Sequence, residues 1–166
     1  QAAYKLQDQN QSFWAKYGNY FLRGALYTLI FAVLTVFFGT VIGTLLALMK
    51  LSHSWFAKAI ANVYIEFIRG TPLLVQAFIV FFGTQILGLD LSAFVAGAIA
   101  MAINSGAYVA EIIRGGINSV PIGQTEAARS LGLHQAQAMR YVILPQATKN
   151  IWPALGNEFV TDIKES

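Results

Sequence analysis

The chain has 166 residues, of which 56% are hydrophobic and only 11% charged, with a net charge of +3 and a mean hydropathy of +0.55. A soluble domain carries about 25% charged residues. Here 26 residues between Arg23 and Lys50, 20 between Arg69 and Asp90, and 20 between Asp90 and Glu111 carry none, whereas an apolar helix of about 20 residues crosses a bilayer. These stretches exclude a soluble enzyme, a disordered chain and a small secreted domain, and the absence of cysteine removes disulfides, thiolate metal sites and thiol nucleophiles.

Taken in order, residues 1–20 predict an extracytoplasmic, interfacial segment in which Phe13, Trp14, Tyr17, Tyr20 and Phe21 form an aromatic belt. The first residue is Gln1 and no signal pattern precedes the first apolar run, so the expectation is a trimmed start or an upstream segment. The first span is expected over 25–48. It carries Gly39-x-x-x-Gly43 followed by Ala47, a spacing that suits close helix packing. Residues 54–68 predict a helix with Trp55, Ala59, Val63 and Phe67 on one face, lying at the cytoplasmic surface or running into the second span. That span is expected over 71–87, opened by Pro72. Its Gln76 and Gln85 fit either a polar path or bonds to neighbouring helices. The third span is expected over 91–110. Lipid satisfies no backbone polar groups, so each span is expected to be helical.

The count of Lys and Arg beside the spans orients the chain. Placing the first and third connections in the cytoplasm puts Lys50, Lys58, Arg69, Arg114, Arg129, Arg140 and Lys149 inside. Lys5, Lys16 and Arg23 then lie outside with the N-terminus.

Within the third span, Gly97, Met101, Asn104, Tyr108 and Glu111 fall within about 80° of one another at 100° per residue, and Ala102, Gly106 and Ala110 lie opposite. The small-residue stripe suits helix contact. The polar stripe fits interhelical hydrogen bonds, with Glu111 beside Arg114 at the interface. It fits equally the lining of a solute path, since such groups at membrane depth face water, a partner or a solute.

The connection 113–145 is too long and too patterned to be featureless. Thr125 is the expected N-cap of a short helix through Glu126, Ala127, Ala128 and Arg129. Gly132 supplies a left-handed turn, and a second short helix over 133–143 is ended by Pro145. The hairpin so formed reads either as a lever for a partner or as an ordinary amphipathic surface loop. After 146 a fourth span begins near Trp152 and Pro153, with Asn157 and Glu158 as further polar candidates for the path. Glu158, Asp162, Lys164 and Glu165 suit lipid poorly. No 20-residue run is completed, and a truncated span is the expectation.

Nothing here assembles an enzyme site. His53 and His134 sit in separate connections, and there is no Gly-x-x-x-x-Gly-Lys-[Ser/Thr] loop to cradle nucleotide phosphates. No metal-ligand cluster and no basic, aromatic-laced run for nucleic acid is present.

Glu126-Ala127-Ala128, then Gly132, then Leu144-Pro145 resembles the EAA loop of permease subunits of bacterial ABC importers. Val142 stands where that pattern has Ile, and His134 stands where Ser, Thr or Asn caps the second helix. The stretches EFIRGTPLLVQ (66–76) and NSGAYVAEIIRGGINSVPIGQ (104–124) look like the histidine/glutamine-type subfamily. The resemblance covers about 25–163.

It implies an all-α, polytopic bundle of the type I, MetI-like permease fold over 21–166, set in the cell membrane of a bacterium. It implies transport of an amino acid by alternating access, with the chain itself no enzyme. No cofactor is then bound by this chain, because ATP and Mg are used by separate ATP-binding subunits. The partners implied are those subunits, a second identical or related permease, an extracytoplasmic amino-acid-binding protein or fused binding domain, and the lipid bilayer. Glu126, Ala127, Ala128, Gly132, Leu144 and Pro145 would couple nucleotide-driven closure to the spans. Asn104, Tyr108 and Glu111 are the candidates for the substrate path, with Asn157 and Glu158 from the fourth span. The rival expectations are a non-transporting assembly subunit, a degenerate permease fragment, or a small channel.

Overall fold

The computed structural model describes residues 2–165, with side chains from residue 13 onward; the side chain of Lys5, used in the orientation count, lies outside the described residues. Every element among them is helical: α1 Ala2–Leu51, α2 Trp55–Gly70, α3 Leu73–Ile86, α4 Ala93–Asn118, α5 Ile122–Ser130, α6 Gln135–Ala138, a π-helical segment Met139–Ile143, and α7 Leu144–Glu165.

Helix α1 has 50 residues and is therefore about 75 Å long, well beyond the thickness of a bilayer. Residues 2–20 belong to the same helix as the first span, which they enter without a break. Trp14, Tyr20 and Phe21 are exposed on it.

Helix α4 lies at the centre and touches α1, α2, α3 and α7. It runs parallel to α1. Phe31 meets Phe94 at 5.2 Å between ring centroids, and further along Gly39 faces Ser105 and Gly43 faces Val109. The glycines set this distance. A Cβ on Gly43 would stand 2.6 Å from the Val109 Cβ and 2.9 Å from the Gly106 carbonyl oxygen, and one on Gly106 would stand 2.6 Å from the Ile42 Cγ2. Two parallel helices require the chain to return between them. The bent pair α2–α3 makes that return, Ala61 packing with Ala107 and Ala110 and the Tyr64 hydroxyl donating to the Ile103 carbonyl, and α7 then runs antiparallel to α4, with Ile151 against Gly116 at one end and Asp162 against Ser105 at the other.

The helix bounds differ from the expected spans in two places. The second span is shorter than 71–87: α3 has 14 residues, about 21 Å, and does not cross a hydrocarbon core of about 30 Å unaided. It meets α2 at a 107° bend. Pro72 is the cause, because its ring forces the preceding Thr71 out of the helical region, to ψ 143°. The face of α2 that packs is Ala61, Ile65 and Ile68, while Trp55, Val63 and Phe67 are exposed. That apolar face is turned outward, as a lipid-bathed helix permits. The helix that carries the third span also runs past 110. Helix α4 continues to Asn118, its last two turns held by Ile117 packed on Ile143, Ala147 and Ile151.

Among the described residues, two helices are long and apolar enough to cross a membrane, Phe13–Leu51 and Ala93–Asn118, and the bent pair α2–α3 makes a third if it is one broken span. Alpha-helix α7 has 22 residues with Pro153 inside it, and so it begins at Leu144, ahead of the expected start after 146.

Candidate functional site: a polar cavity and a coupled hairpin

Asn104 is buried, and its Nδ2 donates to Oε1 of the equally buried Gln76 at 3.1 Å. The Gln76 amide in turn donates to the Ile68 carbonyl at 2.8 Å and to the Thr71 hydroxyl at 2.8 Å. Both acceptors lie where α2 stops, so one glutamine both bridges the break at Gly70–Pro72 and pins it to α4. Gln85 is exposed and takes no such part.

Around this anchor lies a polar cavity of about 290 Å³, at the low end of the 300–1,000 Å³ typical of small-molecule pockets. Thr71, Pro72 and Leu73 contribute from the break, Asn104 and Tyr108 from α4, and Glu158, Thr161 and Glu165 from α7. Asp162 is buried beside it and accepts a hydrogen bond from the Ser105 hydroxyl at 3.2 Å. Glu158, Asp162 and Glu165 share one face of α7 by their spacing of four and three residues. A concave site of this kind, carboxylates at one wall and amide and hydroxyl groups at another, suits a small polar solute bearing an ammonium. A larger groove of about 350 Å³ between α1 and α4 is lined by Leu34, Phe38, Phe94 and Ile99 among other apolar groups and offers such a solute no partner.

Of the five path candidates, the cavity brings Asn104, Tyr108 and Glu158 together. Asn157 is exposed on another face of α7. Glu111 does not line the cavity. It is ion-paired to Lys50 at 2.8 Å, Arg114 at 2.7 Å and Arg69 at 4.0 Å. Arg69, Thr71, Thr161 and Glu165 were missed from the sequence because two of them lie at a helix break and two on a segment whose helical phase was not assigned.

Beyond Asn118 the hairpin takes a form close to the expected one, with three differences. Alpha-helix α5 starts at Ile122 behind Pro121, so Thr125 lies inside the helix and is not its cap. Gly132 has φ +88°, a left-handed conformation open to glycine at no steric cost. His134 caps the second helix after all: its Nδ1 accepts from the Gln137 amide at 3.4 Å, and the Gln137 Oε1 accepts from the His134 amide at 3.1 Å, a reciprocal capping box.

Pro145 does not end that helix. Alpha-helix α6 passes through the π segment, in which the Leu144 amide reaches back to the Met139 carbonyl, and continues as α7. The widened turn leaves room for the proline ring, and Pro145 falls in the first turn of α7, where a missing N–H matters least.

Glu126 and Ala127 are exposed at the outer face of the hairpin. Ala128 faces inward, 4% exposed, so it sets the spacing of α5 against the chain beneath rather than offering a contact surface. Gln146 donates to Gln124 at 3.1 Å and Asn150 to Ser119 at 2.7 Å. The hairpin is therefore tied to the base of α7, which carries Glu158, and runs directly out of α4, which carries Asn104 and Tyr108.

Residues 39–166 match the family described as binding-protein-dependent transport system inner membrane component. The chain belongs to that family. It is a permease subunit, and an integral membrane protein. Among its relatives, a putative glutamine transport system permease protein GlnP of Rickettsia conorii is 49% identical over 148 residues, covering 89% of this chain and 68% of the relative. The arginine transport system permease protein ArtQ of Bacillus subtilis is 44% identical with the same coverage.

Among solved structures, a crystal structure of an amino acid ABC transporter with histidines superposes with a TM-score of 0.88 at 54% identity, covering 91% of this chain and 71% of that one. The MetNI methionine ABC transporter in an inward-facing conformation gives a TM-score of 0.72 at 21% identity, covering 87% of this chain and 70% of that one. That likeness extends the shared fold, the MetI-like permease bundle, beyond close relatives.

Proposed function

We propose that this permease carries an amino acid into a bacterial cell through its inner membrane as one half of the translocation path of an ATP-driven importer. A separate ATP-binding subunit, holding ATP and Mg, grips the α5–α6 hairpin. A second permease, identical or related, completes the path, and an extracytoplasmic binding protein or fused binding domain delivers the solute. The observation that carries this reading is the physical continuity of hairpin and cavity: α4 and α7 both line the cavity and both are fixed to the hairpin. Movement of Glu126, Ala127 and Gly132 by the ATPase would tilt α4 and α7 together and open the cavity to alternate sides. Leu144 and Pro145, at the junction of the π segment with α7, would pass that tilt on. The relatives named for glutamine and arginine, and the acidic wall of the cavity, support an amino acid whose ammonium or cationic side chain meets Glu158, with Asn104 and Tyr108 orienting the rest.

The experiment is reconstitution with the candidate ATPase in lipid, followed by ATP hydrolysis and uptake across an amino-acid panel. Stimulation by one or a few polar amino acids is expected, and its loss in Glu158→Gln. Solute flux that continues without ATP, or ATP hydrolysis indifferent to every amino acid, would overturn the proposal.

A further inference from the structure

Glu111 lies one turn beyond Tyr108 on α4 and gathers cations from three helices. Lys50 in the last turn of α1 donates to Oε1 at 2.8 Å. Arg114, one turn nearer the hairpin, donates to Oε2 through Nη2 at 2.7 Å and through Nε at 3.0 Å. Arg69 in the last turn of α2 reaches Oε2 only at 4.0 Å. One carboxylate among three cations leaves a surplus of two positive charges.

Arg69 is the least engaged of the three. It is 45% exposed while Glu111 is 18% exposed, and its guanidinium sits 5.2 Å from the centre of the Tyr108 ring, the same ring that lines the acidic cavity. It therefore touches both the charge cluster and the cavity wall. The cavity itself presents carboxylates and neutral polar groups, so an amino acid entering it brings an α-carboxylate without a cationic partner. If Arg69 turns to that carboxylate, Glu111 keeps Lys50 and Arg114, and no buried charge is left unpaired.

We propose that Glu111 is a positioning residue, which holds Arg69 beside the cavity and yields it to the carboxylate of an entering amino acid, so that occupancy is reported along α4 to the hairpin. This inference rests on the amino-acid permease reading above. Arg69 is then shared between two anions. The solute weakens the pairing of α2 to α4 at the level where α4 leaves the bundle for α5. Arg114 remains on Glu111 throughout and carries the change one turn further toward the hairpin.

The test uses the assembled permease–ATPase complex in nanodiscs. The probes are L-arginine, L-histidine and L-glutamine, each paired with its decarboxylated amine. Binding and probe-stimulated ATP hydrolysis are measured for the native chain, Glu111→Gln and Arg69→Gln. Glu111→Gln is expected to tighten binding of the amino acid about threefold, the scale of a partly exposed ion pair. Its amine should bind as before, and stimulation should fall toward the unstimulated rate. Arg69→Gln is expected to weaken the amino acid at least tenfold and the amine little. Equal effects on amino acid and amine, or native affinity and stimulation in Glu111→Gln, would overturn the proposal. If Glu111→Gln does not assemble, Arg69→Gln, at a half-exposed position, decides alone by the same comparison. Failure of the native complex to respond to any of the six probes would instead count against the permease reading itself.

Discussion

Replacing Gly43 by alanine tests how far the α1–α4 contact governs the bundle. The added Cβ would sit 2.6 Å from both Cβ and Cγ1 of Val109 and 2.9 Å from the Gly106 carbonyl oxygen. Ordinary carbon contacts need about 3.5–4.0 Å, so one helix has to move by about 1 Å. Neither obstacle yields easily, since one is backbone and the other is a β-branched side chain fixed on its helix. Overpacking of this kind costs about 1–3 kcal/mol.

The control is Gly24→Ala on the same helix, where nothing lies within 4 Å of the added carbon and removing a mid-helix glycine favours the helix by about 0.5–1 kcal/mol. The two substitutions are chemically identical and should differ in sign. Thermal unfolding of the purified complex in detergent, followed by loss of a monodisperse chromatographic peak, should show Gly43→Ala melting several degrees below the native protein and Gly24→Ala at or above it. Val109→Ala removes Cγ1 but not Cβ, so combined with Gly43→Ala it should recover part of the loss and not all. Equal melting of Gly43→Ala and Gly24→Ala would refute the reasoning, because the contact would then be soft enough to absorb a methyl group.

Gly132→Ala places a Cβ at φ +88° and should cost about 1–2 kcal/mol. ATP hydrolysis uncoupled from uptake, with assembly intact, is the expected readout. His134→Ala removes the side-chain half of the capping box, the Nδ1 that accepts from the Gln137 backbone amide, at a cost of about 0.5–2 kcal/mol, while His134→Ser should retain the cap; proteolysis rates at the hairpin distinguish them. Ala127→Trp adds a large ring to an exposed position on the hairpin and should abolish co-purification with the ATPase without lowering the melting temperature of the isolated permease.

The sequence revealed what depends on composition and short spacing. Charge-free runs located α1 and α4, and the Gly39–Gly43 pair announced a close contact, because only small residues let helix backbones approach. Gly132 was legible as a left-handed turn for the same local reason. What depends on three dimensions was not legible. The packed face of α2 was not legible, since in lipid an apolar face need not be an inner one, and Trp55 and Phe67 face outward. The role of Glu111 was half visible: Arg114 is its neighbour in sequence, but Lys50 and Arg69 reach it from 61 and 42 residues away. The reach of α3 was overestimated because hydropathy does not register that Pro72 breaks the chain's direction by 107°.

The π-helical segment Met139–Ile143 has a consequence for aim. Such a turn holds one residue more than an α-helical turn, and each residue turns the chain by about 100° about the axis. Everything downstream of Ile143 is therefore rotated by roughly that angle from where a regular helix would have pointed it. Glu158, Thr161 and Glu165 look into the cavity because of that single surplus residue; with a regular turn the same acidic edge would be swung a quarter-circle round the barrel of the helix, and the solute would meet a different wall.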